Sequence, residues 1–80
     1  MAKDSNIVHQ YFKREFEEGF ILVKVNPVHY NGTELTVMKD GNVSARELQF
    51  DADIHEDLAV DGFLPGSALE FNLYFSGLLG

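Results

Sequence analysis

Eighty residues with 13 acidic and 6 basic side chains, a formal net charge of −7 and no cysteine describe one acidic domain that no disulfide or thiolate-bound metal holds together. A chain this short buries only about 60–65% of the surface its unfolded form exposes, so its core must be used efficiently. The charge opposes duplex DNA and anionic membrane as partners, and the apolar run at residues 20–23 is far short of the ~20 residues a spanning helix needs. Residues 1–6 turn polar at once, unlike a secretory signal, and the expected location is cytoplasmic.

In chain order, the first expected element is a helix over residues 5–18. Asp4, Ser5 and Asn6 offer capping oxygens at its start, and Gly19 offers a left-handed stop at its end. At 100° per residue, Ile7, Val8, Tyr11, Phe12 and Phe16 cover one half of the circumference. Glu15 falls inside that arc and is expected to reach past the aromatics to solvent. Glu17 and Glu18 sit at the unfavourable end of the helix dipole, so this helix depends on its apolar side.

Residues 20–25 read as a β-branched strand bounded by Gly19 and Pro27. Asn31-Gly32 and Asp40-Gly41 are both hairpin-turn dipeptides, making residues 20–50 a three-stranded meander. The second turn, taken as a two-residue loop, sets Val37 opposite Ser44 and Met38 opposite Val43. Leu35, Val37, Leu48 and Phe50 then share one face, and Met38, Val43 and Ala45 the other. The first turn, carried back the same way, puts Lys24 on the core face. One extra residue repairs the phase, so an irregularity is expected between Asn26 and His29, with the first strand at an edge there.

Asp53-Ile54-His55-Glu56 has capping-box spacing. It predicts a two-turn helix over residues 54–60 that buries Ile54 and Leu58, is stopped by Gly62 and is closed by Phe63. Residues 64–67 read as a loop. Residues 68–75 alternate cleanly, Leu69, Phe71, Leu73 and Phe75 against Ala68, Glu70, Asn72 and Tyr74, which predicts a final strand. The apolar Gly77-Leu78-Leu79-Gly80 end is expected to dock on the domain. The expected fold is therefore a small single α+β domain, an N-terminal helix packed on a mainly antiparallel four-stranded sheet in the order α-β-β-β-short α-β. Phe20 and Leu22 would point away from that helix. The sheet must then curl into a partly open barrel, or a second chain must cover it, so homodimerisation through that face or an edge strand is expected.

Chemistry-bearing patterns are few. Asp51, Asp53, Glu56, Asp57 and Asp61 occupy eleven residues without a Lys or Arg; the rest of the chain holds 8 acids against 6 bases, a net of −2. Asp51-x-Asp53 opens like a calcium loop, but the sixth position is Glu56 where glycine is needed, and the twelfth is Gly62 where the bidentate Glu belongs. His55-Glu56 lacks a second histidine at position 59, which is Ala. His9, His29 and His55 have no helical spacing that would preorganise a metal. The serines lie in no nucleophile-elbow setting, no glycine loop cradles a phosphate, and the aromatics lack the basic groove of a base-stacking sheet.

Neither a catalytic residue, a metal ligand nor a cofactor is assigned, and the chain is expected not to be an enzyme. The preferred reading is a protein-interaction module that docks a basic partner surface. Its contact residues would be Asp51, Asp53, Glu56, Asp57 and Asp61, with Met38, Val43 and Tyr74 as an adjoining apolar patch on the sheet. The alternative is a small-ligand or divalent-metal domain that uses His55 with Asp51, Asp53 or Asp57.

Overall fold

The computed structural model describes residues 8–79, the side chains of residues 78 and 79 excepted. Five antiparallel strands and two helices follow one another as β1 (Gln10–Phe16), β2 (Gly19–Asn26), β3 (Asn31–Met38), β4 (Val43–Gln49), α1 (Ile54–Val60), β5 (Leu64–Pro65) and α2 (Ala68–Leu79). The sheet runs β4-β3-β2-β1-β5 and is open at both ends, so it forms no barrel, and β2 is central rather than at an edge.

The expected N-terminal helix is strand β1 from Gln10 onward; residues 5–7 of that expectation lie outside the described residues. Tyr11, Phe12 and Phe16 suit a helical stripe, but Phe12 and Phe16 also share one side of a strand, and aromatics favour strands. The deciding partner is β2, whose Ile21, Val23 and Val25 pair with Arg14, Phe12 and Gln10. Glu17 and Glu18 form the two-residue connection, with Phe16 opposite Gly19. Among the described non-glycine residues only Tyr30 takes a positive φ, so this hairpin turns without the geometry that Asn-Gly pairs advertise. Gly19 ends no helix. A Cβ there would stand 2.1 Å from the Val37 carbonyl oxygen, so glycine is what lets β2 and β3 approach.

The first meander turn is likewise not at Asn31-Gly32, which lies inside β3. The chain reverses over residues 27–30, between the paired Asn26 and Asn31. The Asn26 side-chain oxygen accepts the N–H groups of Val28 (2.9 Å) and His29 (3.0 Å), its carbonyl accepts that of Tyr30 (2.8 Å), and Tyr30 takes φ 56°. The expected irregularity is this turn itself.

At the second turn the loop is longer than two residues. The Met38 carbonyl accepts the Gly41 N–H and the Met38 N–H donates to Asn42, so Val37 faces Val43 and Thr36 faces Ser44. That one-residue slip moves every β4 side chain to the other face. Val43 and Ala45 lie beside Val37 and Leu35, Leu48 opposes Gly32, and Met38, opposite Gly19, is on the reverse side from Val43. The expected Met38–Val43–Ala45 patch is therefore split.

Each face of the sheet has its own helix, both from the second half of the chain. On the first face, Val23 and Val25 are buried with Ile54 and Leu58 of α1, and Phe12, Ile21, Tyr30, Phe50 and Phe63 pack around them. The expected 54–60 helix and its two buried residues are correct, and so is its end. Gly62 takes φ 89°, its N–H reaches the Ala59 carbonyl (3.1 Å), and the Phe63 N–H reaches that of Leu58 (2.9 Å), a Schellman closure. The capping box is not formed, because Asp53 makes no side-chain cap bond.

On the second face, Leu22 and Leu35 are buried with Phe71 of α2, and Tyr11, Phe20, Tyr74 and Phe75 surround them. The expected final strand is thus a helix. The Glu70 N–H donates to Ser67 Oγ (3.2 Å) and the Phe71 N–H to the Ser67 carbonyl (3.1 Å), so Ser67 caps it. Phe71, Tyr74 and Phe75 then share the inner side at i, i+3 and i+4. Residues 64–65, expected in a loop, pair with Lys13 and Phe12 of β1. Phe20 and Leu22 are covered by the chain's own helix, which removes the need for a barrel or a second chain on the sheet.

Candidate functional site

The acidic segment forms a ridge along α1. With Ile54 and Leu58 directed at the sheet, successive 100° steps bring Asp53, Asp57 and Asp61 onto one edge of the helix, next to Glu56 and Val60. All five carboxylates, Asp51 included, are exposed. The ion pairs among the described residues are Lys13 with Glu15 and Glu70, and Arg46 with Glu34; none involves the ridge. The Arg14 Nε lies 3.8 Å from where a Cβ of residue 62, next to Asp61, would stand.

This spacing costs the free protein stability. Asp53–Asp57 and Asp57–Asp61 are like-charge pairs at i, i+4, each destabilising by about 0.2–0.5 kcal/mol. Glu56 and Asp57 in the first turn suit the helix dipole, but Asp61 sits at the C-cap with no basic residue in the last turn, where negative charge is disfavoured.

His55 does not join the carboxylates. Its Nε2 is hydrogen-bonded to Gln10 Oε1, and its ring stands edge-on to Phe12 at 6.0 Å, tying α1 to β1. Among the described residues no three His, Asp or Glu side chains converge to hold a metal ion, so the arrangement lends nothing to a divalent-metal reading built on His55, Asp51, Asp53 and Asp57. The other three expected contact residues are not beside the ridge. Val43 and Tyr74 belong to the α2 side of the sheet. Tyr74 lies on α2 rather than on a strand, half-buried, its ring 5.5 Å from that of Phe20. Met38 pairs with Gly19 at the far end of the β2–β3 ladder from Val25.

Two features escaped the sequence reading. A cleft of about 480 Å³ at one end of the sheet is lined by His9, Lys24, Asn26, Thr33, Glu47 and Gln49 among others. Burial, and secondarily the Lys24 charge, hold the His9 imidazole below its ordinary pKa. The second is the outer side of α2, where Leu69 and Leu73 are 82% and 68% exposed. No helix among the described residues is long and apolar enough to cross a membrane. Compared with known protein families, curated proteins and solved structures, the chain finds no match.

Proposed function

We propose that this chain is a non-catalytic, cytoplasmic protein-interaction module whose α1 ridge docks on a basic surface of a protein partner. The observation that carries the reading is the ladder Asp53–Asp57–Asp61, exposed and without an ion pair among the described residues. Its mutual repulsion weakens the helix that bears it, and a partner's Lys or Arg side chains would relieve that repulsion. Charged rims of this kind steer encounter and select the partner's sign of charge. Val60, 85% exposed beside Glu56, supplies an apolar contact within the charged rim.

The test is affinity capture from native lysate with wild type and with a variant carrying Asp51→Asn, Asp53→Asn, Glu56→Gln, Asp57→Asn and Asp61→Asn together. None of the five side chains makes a hydrogen bond or ion pair among those described, so the variant keeps the wild-type circular dichroism. A basic protein retained by wild type and lost by the variant, with binding of the purified pair weakening steeply as salt rises, supports the reading. Equal recovery of the same partner by both proteins defeats it.

A further inference from the structure

The sheet face that carries α2 is apolar where the helix lies and polar beyond it. Lys24, Thr33 and Glu47 oppose one another in register across β2, β3 and β4. Their side chains therefore leave on one side, that of Leu22 and Leu35 two residues away. Asn31 and Gln49 pair two residues further along the same side. Together with His9, just ahead of β1, these residues line the cleft of about 480 Å³, and none of its lining residues comes from α2.

The cleft holds one charge of each sign. Burial and the Lys24 ammonium keep the His9 imidazole below its ordinary pKa, so at neutral pH it is uncharged. Lys24 is then the positive group and Glu47 the negative one. Strands about 4.8 Å apart set their Cα atoms about 10 Å from each other, with the Thr33 hydroxyl between. The ion pairs among the described residues include neither charge. Nor does any side-chain hydrogen bond among them use Lys24, Asn31, Thr33 or Glu47. Lys24 is half-buried, its ammonium 6.0 Å from the Phe71 ring centroid, and a cation so placed ordinarily has an acidic partner.

We propose that this cleft binds a free α-amino acid, its carboxylate on Lys24 and Thr33 and its ammonium on Glu47. Charge selects the zwitterion. An anion would add to a chain already at −7 and face Glu47, and a cation would face Lys24. A molecule carrying both signs gives each group a charge-assisted hydrogen bond. Beyond the charged row, Asn31 offers a whole amide. Gln49 offers its side-chain oxygen, since its Nε2 donates to the His29 and Tyr30 carbonyls. These two favour a side chain with its own donor and acceptor, as in glutamine. All five strand residues are spaced by backbone pairing before any ligand arrives, which limits the ordering cost of binding. The volume falls within the range of about 300–1,000 Å³ usual for small-molecule sites.

The cleft lies on the face opposite α1, so the inference is independent of the acidic ridge and of any protein partner. NMR titration of the isotope-labelled chain with L-glutamine tests it. Shifts should centre on His9, Lys24, Asn31, Thr33 and Glu47 and saturate with a Kd of about 1 mM or tighter, as a ligand of roughly ten non-hydrogen atoms allows. N-acetyl-L-glutamine, which lacks the ammonium, and L-glutaminamide, which lacks the carboxylate, should each bind at least about tenfold more weakly. Glu47→Gln and Lys24→Met should weaken L-glutamine by a similar factor, and Asp57→Asn on the other face should not. Glu47 is exposed and methionine keeps the apolar stem of Lys24, so both variants should match the wild-type spectrum away from the cleft. Absence of shifts at about 50 mM L-glutamine overturns the proposal. So does equal binding of L-glutamine and its two derivatives, or undiminished binding by both cleft variants.

Discussion

Phe71→Ala set against Leu73→Ala separates the two faces of α2 by energy. Phe71 is 1% exposed, its ring 5.6 Å from that of Tyr11 and 5.7 Å from that of Phe75. Truncating such a phenylalanine costs about 3–5 kcal/mol. An 80-residue domain has about 4–12 kcal/mol in all, so Phe71→Ala should lower the melting temperature by at least about 12 °C or abolish folding. Leu73 is 68% exposed. Full burial of a leucine contributes about 1.5–3 kcal/mol, and about a third of that is at stake, less the small gain of alanine in a helix. The expected cost is about 0.5 kcal/mol, read by urea denaturation. On a strand both residues would point into the core and cost alike. Comparable losses for the two variants would refute the helix, and with it the account of the second sheet face.

The Lys13–Glu70 pair, at 2.9 Å with side chains 26% and 29% exposed, joins β1 to α2, and the Lys13 ammonium also lies 4.5 Å from the Phe20 ring centroid. A double-mutant cycle of Lys13→Met with Glu70→Gln should return a coupling of about 1 kcal/mol; a coupling indistinguishable from zero would show the pair to be solvated. The hydrogen bond to Glu70, opposed in part by burial, raises the Lys13 pKa. Its stabilisation is therefore complete below the unfolded value of about 10.4 and is lost as pH rises through the higher folded value, a decline that Lys13→Met should remove. His9 has the opposite sign for a base: its folded pKa is lowered, so the unfolded chain takes up the proton first and stability falls as pH drops below about 6.5. Its NMR titration midpoint should lie below that value and rise, without reaching it, in Lys24→Met, because burial is the larger cause. Gly19→Ala should cost about 1–3 kcal/mol by forcing β3 from β2, and a neutral result in thermal melts would contradict the close approach of Gly19 to Val37.

What was legible in the sequence is what local residues determine. Residues 54–63 carry two anchors at i and i+4, a glycine stop and a closing phenylalanine, and these fold as read, although the capping box expected at their start is not formed. The acidic run was legible as composition, and helical spacing sets positions 53 and 57 one turn apart; Asp61, at the C-cap, extends that edge. Residues 10–16 are different. Their aromatic spacing fits a helix and a strand about equally, and the choice is made by β2, a partner that periodicity within the segment does not contain. The 39–42 region shows how small an error propagates: Asp40-Gly41 does mark the turn, yet one residue of loop length decides which face of β4 carries Val43 and Ala45 and which carries Leu48.

Residues 67–75 show which local signal outranks periodicity. Leu69, Phe71, Leu73 and Phe75 alternate as a buried strand would, and the alternation arises because this helix is apolar on both sides: Phe71 and Phe75 occupy one side and Leu69 and Leu73 the other. Ser67-Ala68-Leu69-Glu70 carries the helix-start spacing of a capping serine followed three residues later by glutamate, and in the structure Ser67 Oγ takes the Glu70 N–H. A capping pattern identifies one conformation, whereas alternation among apolar residues is produced equally by a strand with one buried face and by a helix with two. The misread strand thus has one physical cause, the absence of a charged side on α2.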